Sequence, residues 1–333
     1  MPARQFIITV LLFGLIGATD WQPALAVATI AMPSGSDESG SASTGGHEKP
    51  GTVQSRDETW FVSARSVNCE TTDLSKLKVE VFRDGCWTSS SLSELLQLHQ
   101  DDAIGETVLY VHGNRTDEYS AKYRGRQVFR NLFVCCPSPR PPIRFVIWAW
   151  DSERNGHGKT DFCIKSQRAV RLGAIFSATV DAFGSANPPL IVGYSLGCQI
   201  IAKAFTDNDF PEKQAQYRVA MIVPVMECRF SNQFCKNSCR SKSIVRSIVF
   251  VNYKDIVSCL AKRICIRQSA GNFRSVEQWA QMPDQPVGNN QLIDISRASS
   301  CQHSVIKYTA VSHVRRNIGS LLEENVQPAS ESQ

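Results

Sequence analysis

The chain has 333 residues, 42% hydrophobic and 20% charged, which is the profile of a globular protein with enough apolar side chains for a substantial core. A formal charge of +5, from 36 basic and 31 acidic residues, is mild. No long block of Lys or Arg stands beside aromatic residues as a nucleic-acid groove would require, so nucleic acid is not expected as a partner.

At the N-terminus Arg4 precedes the apolar run FIITVLLFGLIGA (6–18), and small residues recur in PALAVATIA. That order, a positive end followed by a short apolar stretch and an A-x-A-like site, predicts a secretory signal over 1–28, cleaved near Ala26 or Ala28. The run is shorter than the roughly 20 apolar residues of a spanning helix, so no stable membrane span is expected after cleavage. The text MPSGSDESGSASTGGHEKPGTV (32–53) is too poor in apolar residues to order itself, and a flexible linker is expected over 29–56. A single folded domain is then expected over 57–325, followed by a short disordered tail over 326–333; no internal repeat and no second core large enough for another domain is visible.

The domain opens with TWFVSAR and KVEVFRDGCW, where Asp84-Gly85 between apolar runs predicts a hairpin turn and antiparallel pairing. Short continuous apolar runs follow: TVLYVHG (107–113), IRFVIWAW (143–150), PLIVGYS (189–195), RVAMIVPVM (218–226), SIVFVNY (247–253) and QLIDIS (291–296). Runs without alternation are what strands buried on both faces look like. The segments 119–134, 159–183 and 196–205 are helical in pattern and long enough to cross between parallel strands. The fold expected is an α/β protein with a mostly parallel, doubly wound sheet and antiparallel N-terminal strands.

Gly193-Tyr194-Ser195-Leu196-Gly197 fits G-x-S-x-G, a weak signal alone. Here it lies directly after an apolar strand and before the helix-like LGCQIIAKAF, the setting of a nucleophile elbow, which makes Ser195 the candidate nucleophile. A serine hydroxyl needs a base, and in this arrangement the order is Ser, acid, His. Of the six histidines only His303 and His313 follow Ser195. His303 falls in the loop SSCQHS, whereas His313 sits inside the terminal helix-like segment, so His303 is the candidate base. The acid must be a buried carboxylate that holds the imidazole in one tautomer. Asp255, just past the strand SIVFVNY, is the candidate, with Glu227 at the end of the preceding strand as the alternative. The backbone N–H of Leu196 and Asn114 of the His112-Gly113-Asn114 segment are the candidate oxyanion donors.

Twelve cysteines, all between Cys69 and Cys301, suit an oxidising compartment and disulfides, whose pairing is not legible. Cys228, Cys235 and Cys239, spaced by seven and four residues with no histidine nearby, lack the paired knuckles of a structural zinc site, so no metal is expected.

Together YVHGNRTDEY, PPIRFVIWAW, IVGYSLG, NYKDIV and QHSVIKY resemble the α/β-hydrolase superfamily, and more closely a group of exported bacterial α/β-hydrolase-like proteins of uncharacterised activity. The resemblance runs from about Trp60 to Tyr308. It implies an eight-strand-type hydrolase sheet with Ser195 as nucleophile, Asp255 as acid and His303 as base. The expected activity is that of an exported, periplasmic or secreted serine hydrolase of carboxylesterase or lipase type. It would cleave an ester or related acyl bond of a small-molecule or lipid-like substrate with no cofactor and no metal. The alternative is a non-catalytic binding protein on the same fold. Insertions at 227–243 and 260–290, the latter with Phe273, Trp279 and Met282, are expected to bear on substrate access. Oligomeric state is not legible.

Overall fold

The structure, a computed structural model, describes residues 56–68, 71–100, 105–135, 140–156, 158–206, 216–226, 244–255, 257, 290–299 and 301–323. The signal-like segment, the linker as far as residue 55, the tail, Glu227, both insertions apart from Asn290, and most of the cysteines, Cys228, Cys235 and Cys239 among them, lie outside the described residues.

The apolar runs of the sequence become strands β1 (Glu58–Ser63), β2 (Lys78–Arg83), β3 (Cys86–Ser90), β4 (Glu106–Val111), β5 (Ile143–Ala149), β6 (Leu190–Tyr194), β7 (Tyr217–Ile222), β8 (Ile244–Val251) and β9 (Asn290–Asp294). They form one sheet in the order β3-β2-β1-β5-β4-β6-β7-β8-β9. Only the β1–β2 and β2–β3 pairings are antiparallel; from β1 across to β9 every neighbour is parallel. Asp84 (φ 50°) and Gly85 (φ 83°) are both left-handed, the conformation of a two-residue turn whose twist matches its strands, and they close the β2–β3 hairpin. That hairpin brings the described sheet to nine strands where an eight-strand type was expected.

Seven helices are described: α1 (Leu92–Gln100), α2 (Glu118–Phe129), α3 (Gly158–Arg171), α4 (Gly173–Ala182), α5 (Gly197–Ala204), α6 (Val305–Thr309) and α7 (Ser312–Glu323). They cover both faces of the sheet, which is why the strands read as unbroken apolar runs. Along β4, Val108 and Tyr110 point into one core while Leu109 and Val111 point into the other. The first core also takes Val128 of α2, Tyr308 of α6 and Ile318 of α7; the second takes Leu95 of α1, Ala169 of α3, Phe176 of α4 and Ile200 of α5. Each fully buried aliphatic side chain contributes about 1.5–3 kcal/mol, so neither face is expendable. This is a doubly wound, mostly parallel α/β sheet with antiparallel strands on its N-terminal side.

Two helical stretches are divided where the sequence pattern predicts one helix each. Between α3 and α4 the chain steps at Leu172 and sets Gly173 on α5, where an added Cβ would lie 2.4 Å from Lys203 Cγ. Between α6 and α7, Asn131 Nδ2 reaches across from the π-helical turn Arg130–Val134 that follows α2 and donates to Ile306 O (3.2 Å) and Thr309 Oγ1 (3.1 Å). Those contacts satisfy the end of α6 and let the chain turn away.

At the N-terminal ends of the parallel strands, Arg218 of β7 pairs with Glu106 of β4 at 3.0 Å. It also donates to Leu321 O of α7 (2.6 Å) and Pro188 O (3.4 Å), so one buried guanidinium ties strand, strand, helix and loop together.

Candidate active site

The opposite ends of the same strands carry the chemistry-bearing side chains. After β6 the chain turns into α5 within two residues, and Ser195 at the turn has φ 53°, a left-handed backbone in a residue that is not glycine. Such a conformation costs about 1–3 kcal/mol and persists only where its surroundings enforce it. Here Ser195 N–H donates to Ile222 O (3.1 Å), and Ser195 O accepts from Cys198 N and Val225 N, both at 3.1 Å. The flanking glycines differ in how strictly space requires them: a Cβ on Gly197 would lie 2.4 Å from the backbone oxygen of Val111, whereas one on Gly193 would lie 2.5 Å from Ile201 Cδ1, the tip of a side chain. The crossing is therefore closed to any larger residue at Gly197, and at Gly193 the Ile201 side chain would have to move.

Asp255 follows β8 in a turn organised by Asn252, whose backbone O accepts from Asp255 N (3.1 Å) and whose Oδ1 accepts from Lys254 N (3.0 Å). Its carboxylate is fully buried, and Oδ2 accepts from His303 Nδ1 at 2.7 Å. With that proton on Nδ1, Nε2 is the lone-pair nitrogen, and it accepts from Ser195 Oγ at 2.8 Å. His303 stands immediately before Ser304, the N-cap residue of α6, and Tyr194 stacks on its ring at 5.0 Å between centroids. Residues 195, 255 and 303, separated by as many as 108 positions, thus form one continuous hydrogen-bonded chain. His313 is exposed on α7 and is not among the residues lining the cleft beside Ser195.

That cleft has a volume of about 620 Å³ and is lined by Ser195, His303, His112, Gly113 and Asn114 among others. Leu196 is the N-cap residue of α5, so its amide stands at a helix start, where N–H groups lack intrahelical acceptors. Asn114 enters from the loop after β4. The loop is pinned from below by His112: Trp150 N donates to His112 Nε2 (3.2 Å), His112 Nδ1 donates to Gly113 O (2.8 Å), and Trp150 Nε1 donates to His112 O (2.8 Å). Burial pushes His112 down to about 4, so this imidazole is neutral at ordinary pH, as its acceptor role at Nε2 requires. Ser152 braces the far side, accepting from Thr116 N (3.2 Å) and donating to Gly113 O (3.1 Å).

Sequence reasoning missed Tyr308. Its hydroxyl donates to the same Asp255 Oδ2 that receives His303, and accepts from Asn252 Nδ2 at 3.1 Å. Burial, and then the hydrogen bond to Asp255, push the phenol upward, so it keeps its proton and remains a donor. No motif marks a tyrosine five positions after a histidine; only the packing of α6 against the turn after β8 brings it to the carboxylate. Among the described residues no group of three His, Cys, Asp or Glu side chains gathers as metal ligands would. No described helix is long and apolar enough to cross a membrane. Of the described cysteines, Cys86, Cys135, Cys198 and Cys301 form no disulfide, and burial raises the Cys198 thiol beneath the elbow well above its ordinary value.

No protein-family model matches the chain, and no curated protein matches it. Two solved structures are similar to it. One is FphF, a fluorophosphonate-binding serine hydrolase of Staphylococcus aureus with substrate bound, at 11% identity over 74% of this chain and 92% of that one, TM-score 0.35. The other is esterase 2 of Thermogutta terrifontis, phosphoramylated by tabun, at 11% identity over 67% of this chain and 84% of that one, TM-score 0.34.

Proposed function

We propose that this protein is a serine hydrolase that cleaves an ester or related acyl bond through an acyl-Ser195 intermediate. The observation that carries the reading is the continuous hydrogen-bonded chain from Ser195 Oγ through His303 to Asp255, at 2.8 and 2.7 Å, with its serine end on a strained elbow facing the cleft. In this reading Ser195 Oγ attacks the acyl carbon while His303 Nε2 takes its proton. The carbonyl π pair moves onto oxygen, where the Leu196 amide and Asn114 receive the charge. Collapse expels the leaving alkoxide, which takes the proton from His303. Water then repeats the sequence on the acyl-enzyme, giving the acid and free Ser195. Asp255, ionised throughout, stabilises the imidazolium and fixes its tautomer. The steps are complete without a cofactor, and neither the acyl chain nor the alcohol is specified by them.

Covalent labelling with a fluorophosphonate tests the reading without knowledge of the substrate. Wild type should be labelled and should hydrolyse an activated ester. Ser195→Ala, with an unchanged circular dichroism spectrum, should lose both. Labelling retained in Ser195→Ala would remove that residue from the mechanism, and an inert wild type would favour a binding protein on the same fold.

A further inference from the structure

Among the described residues, the cleft beside Ser195 is lined by arginines and by no carboxylate. Among its described lining residues, the ionisable side chains apart from the histidines and tyrosines are Arg115 and Arg124, and no Asp or Glu joins them. Arg124 is exposed on α2 and makes no ion pair among the described residues. Its position is set by the next residue: a Cβ on Gly125 would lie 2.4 Å from Ile147 Cδ1, so α2 presses directly on β5 there and holds the preceding side chain at the cleft. Arg115 has a left-handed backbone (φ 57°), its N–H donates to Ser152 O (2.8 Å), and its side chain meets Asp161 only at 3.9 Å. Burial raises the Tyr110 and Tyr194 hydroxyls and lowers His112, and the positive charge of Arg124 reaches all three as a smaller contribution, opposing the rise of the two phenols and adding to the fall of the imidazole. A guanidinium without a carboxylate partner among the described residues, beside a nucleophile, offers planar, paired donors to an oxyanion.

We propose that the substrate of this site is an ester bearing an anionic group, a carboxylate or a phosphate, away from the scissile bond, received by Arg124 with Arg115 beside it. The proposal rests on the reading of Ser195 as nucleophile. It narrows that reading from acyl esters in general to charged ones, and it predicts that the preference is electrostatic, largest at low ionic strength and screened by salt.

Two substrate pairs test it in wild type and Arg124→Gln: 4-nitrophenyl hydrogen succinate against 4-nitrophenyl butyrate, with the anion on the acyl side, and 4-acetoxybenzoate against its methyl ester, with the anion on the leaving side. A phosphate-bearing phenyl acetate, run beside 4-acetoxybenzoate, separates phosphate from carboxylate. The readout is the ratio of kcat/KM, anionic over neutral, at low salt. In at least one pair it should fall about fivefold in Arg124→Gln, the size expected of one partly exposed ion pair, and fall similarly for wild type in 1 M NaCl. Ratios unchanged by both Arg124→Gln and salt in every pair would overturn the proposal. If wild type turns over none of these esters and takes no fluorophosphonate label, the hydrolase reading fails instead. The anion site is then read from binding of 4-nitrophenyl hydrogen succinate to Ser195→Ala, measured by ligand NMR line broadening. Weaker binding after adding Arg124→Gln supports the site, and equal binding in the two variants overturns it.

Discussion

At the N-terminal ends of the strands, Arg218 meets Glu106 at 3.0 Å and donates onward to two carbonyls, while at the C-terminal ends Asp255 is shared by His303 and Tyr308 and the chain of bonds runs out to Ser195. Both clusters bury a carboxylate among strands of the same sheet. The first closes on itself: Arg218 and Glu106 are almost wholly enclosed, and each bond joins two parts of the scaffold. The second is open at one end, where the Ser195 hydroxyl lines a cleft of about 620 Å³ and the His303 side chain keeps 14% of its surface exposed. A closed network can only hold the fold together. An open one can hand a proton to something that arrives.

Variants at the two ends should therefore separate activity from stability. The largest effect is expected from Asp255→Asn, which keeps the side-chain shape but loses the charge that supports the imidazolium. Its kcat toward an activated ester should fall on the order of 10⁴-fold. A fall of less than tenfold, measured beside a wild-type-like melting curve, would move the acid elsewhere. Arg218→Met should do the reverse. Taking the Arg218 guanidinium away from the buried Glu106 carboxylate costs about 3–5 kcal/mol in urea unfolding, while kcat per folded molecule stays within twofold of wild type. Loss of activity in the folded fraction would break the division between the two ends.

Tyr308→Phe sharpens the comparison, since it removes a donor to Asp255 together with the hydroxyl's bonds to Asn252 and Gln302 and leaves the ring in place. Asp255 then loses one of the hydrogen bonds that hold its carboxylate toward His303, and kcat toward an activated ester should fall about tenfold or less. An unchanged kcat beside a lowered melting temperature would make Tyr308 a packing residue only.

Much of this was legible before any coordinates. LIVGY, TVLYV and IRFVIWA read as strands covered on both faces because the runs are short, unbroken and rich in β-branched and aromatic residues. Ser195 stands out because the elbow is local: the glycines, the strand and the helix lie within a dozen residues. Asp255 is legible from its place just past the C-terminal end of its strand, and His303 from its loop position after Ser195, where His313 lies in a helix. Tyr308 was not legible because its role depends on the angle at which α6 packs, which no spacing encodes. The helix breaks at Leu172 and Ala310 were hidden for the same reason, each being set by a neighbour, Lys203 or Asn131, distant in sequence. Nor does α1 announce itself, since its apolar positions in LSELLQLHQ gain meaning only against Phe183, on whose ring His99 rests edge-on at 4.9 Å.

The imidazole of His112, described above as the pin beneath the Asn114 loop, also ties the life of the fold to acidity. In the unfolded chain it takes up a proton near pH 6.5, but inside the fold not until about pH 4. Across that interval the unfolded state binds more protons, so stability falls as the pH drops, by on the order of 3 kcal/mol between the two values. Urea midpoints measured from pH 7 to pH 4 should follow that slope, and a flat profile would mean that the imidazole charges freely. Moderate acid would then loosen the floor of the cleft itself, because the ring that gains a proton is one of the residues lining it.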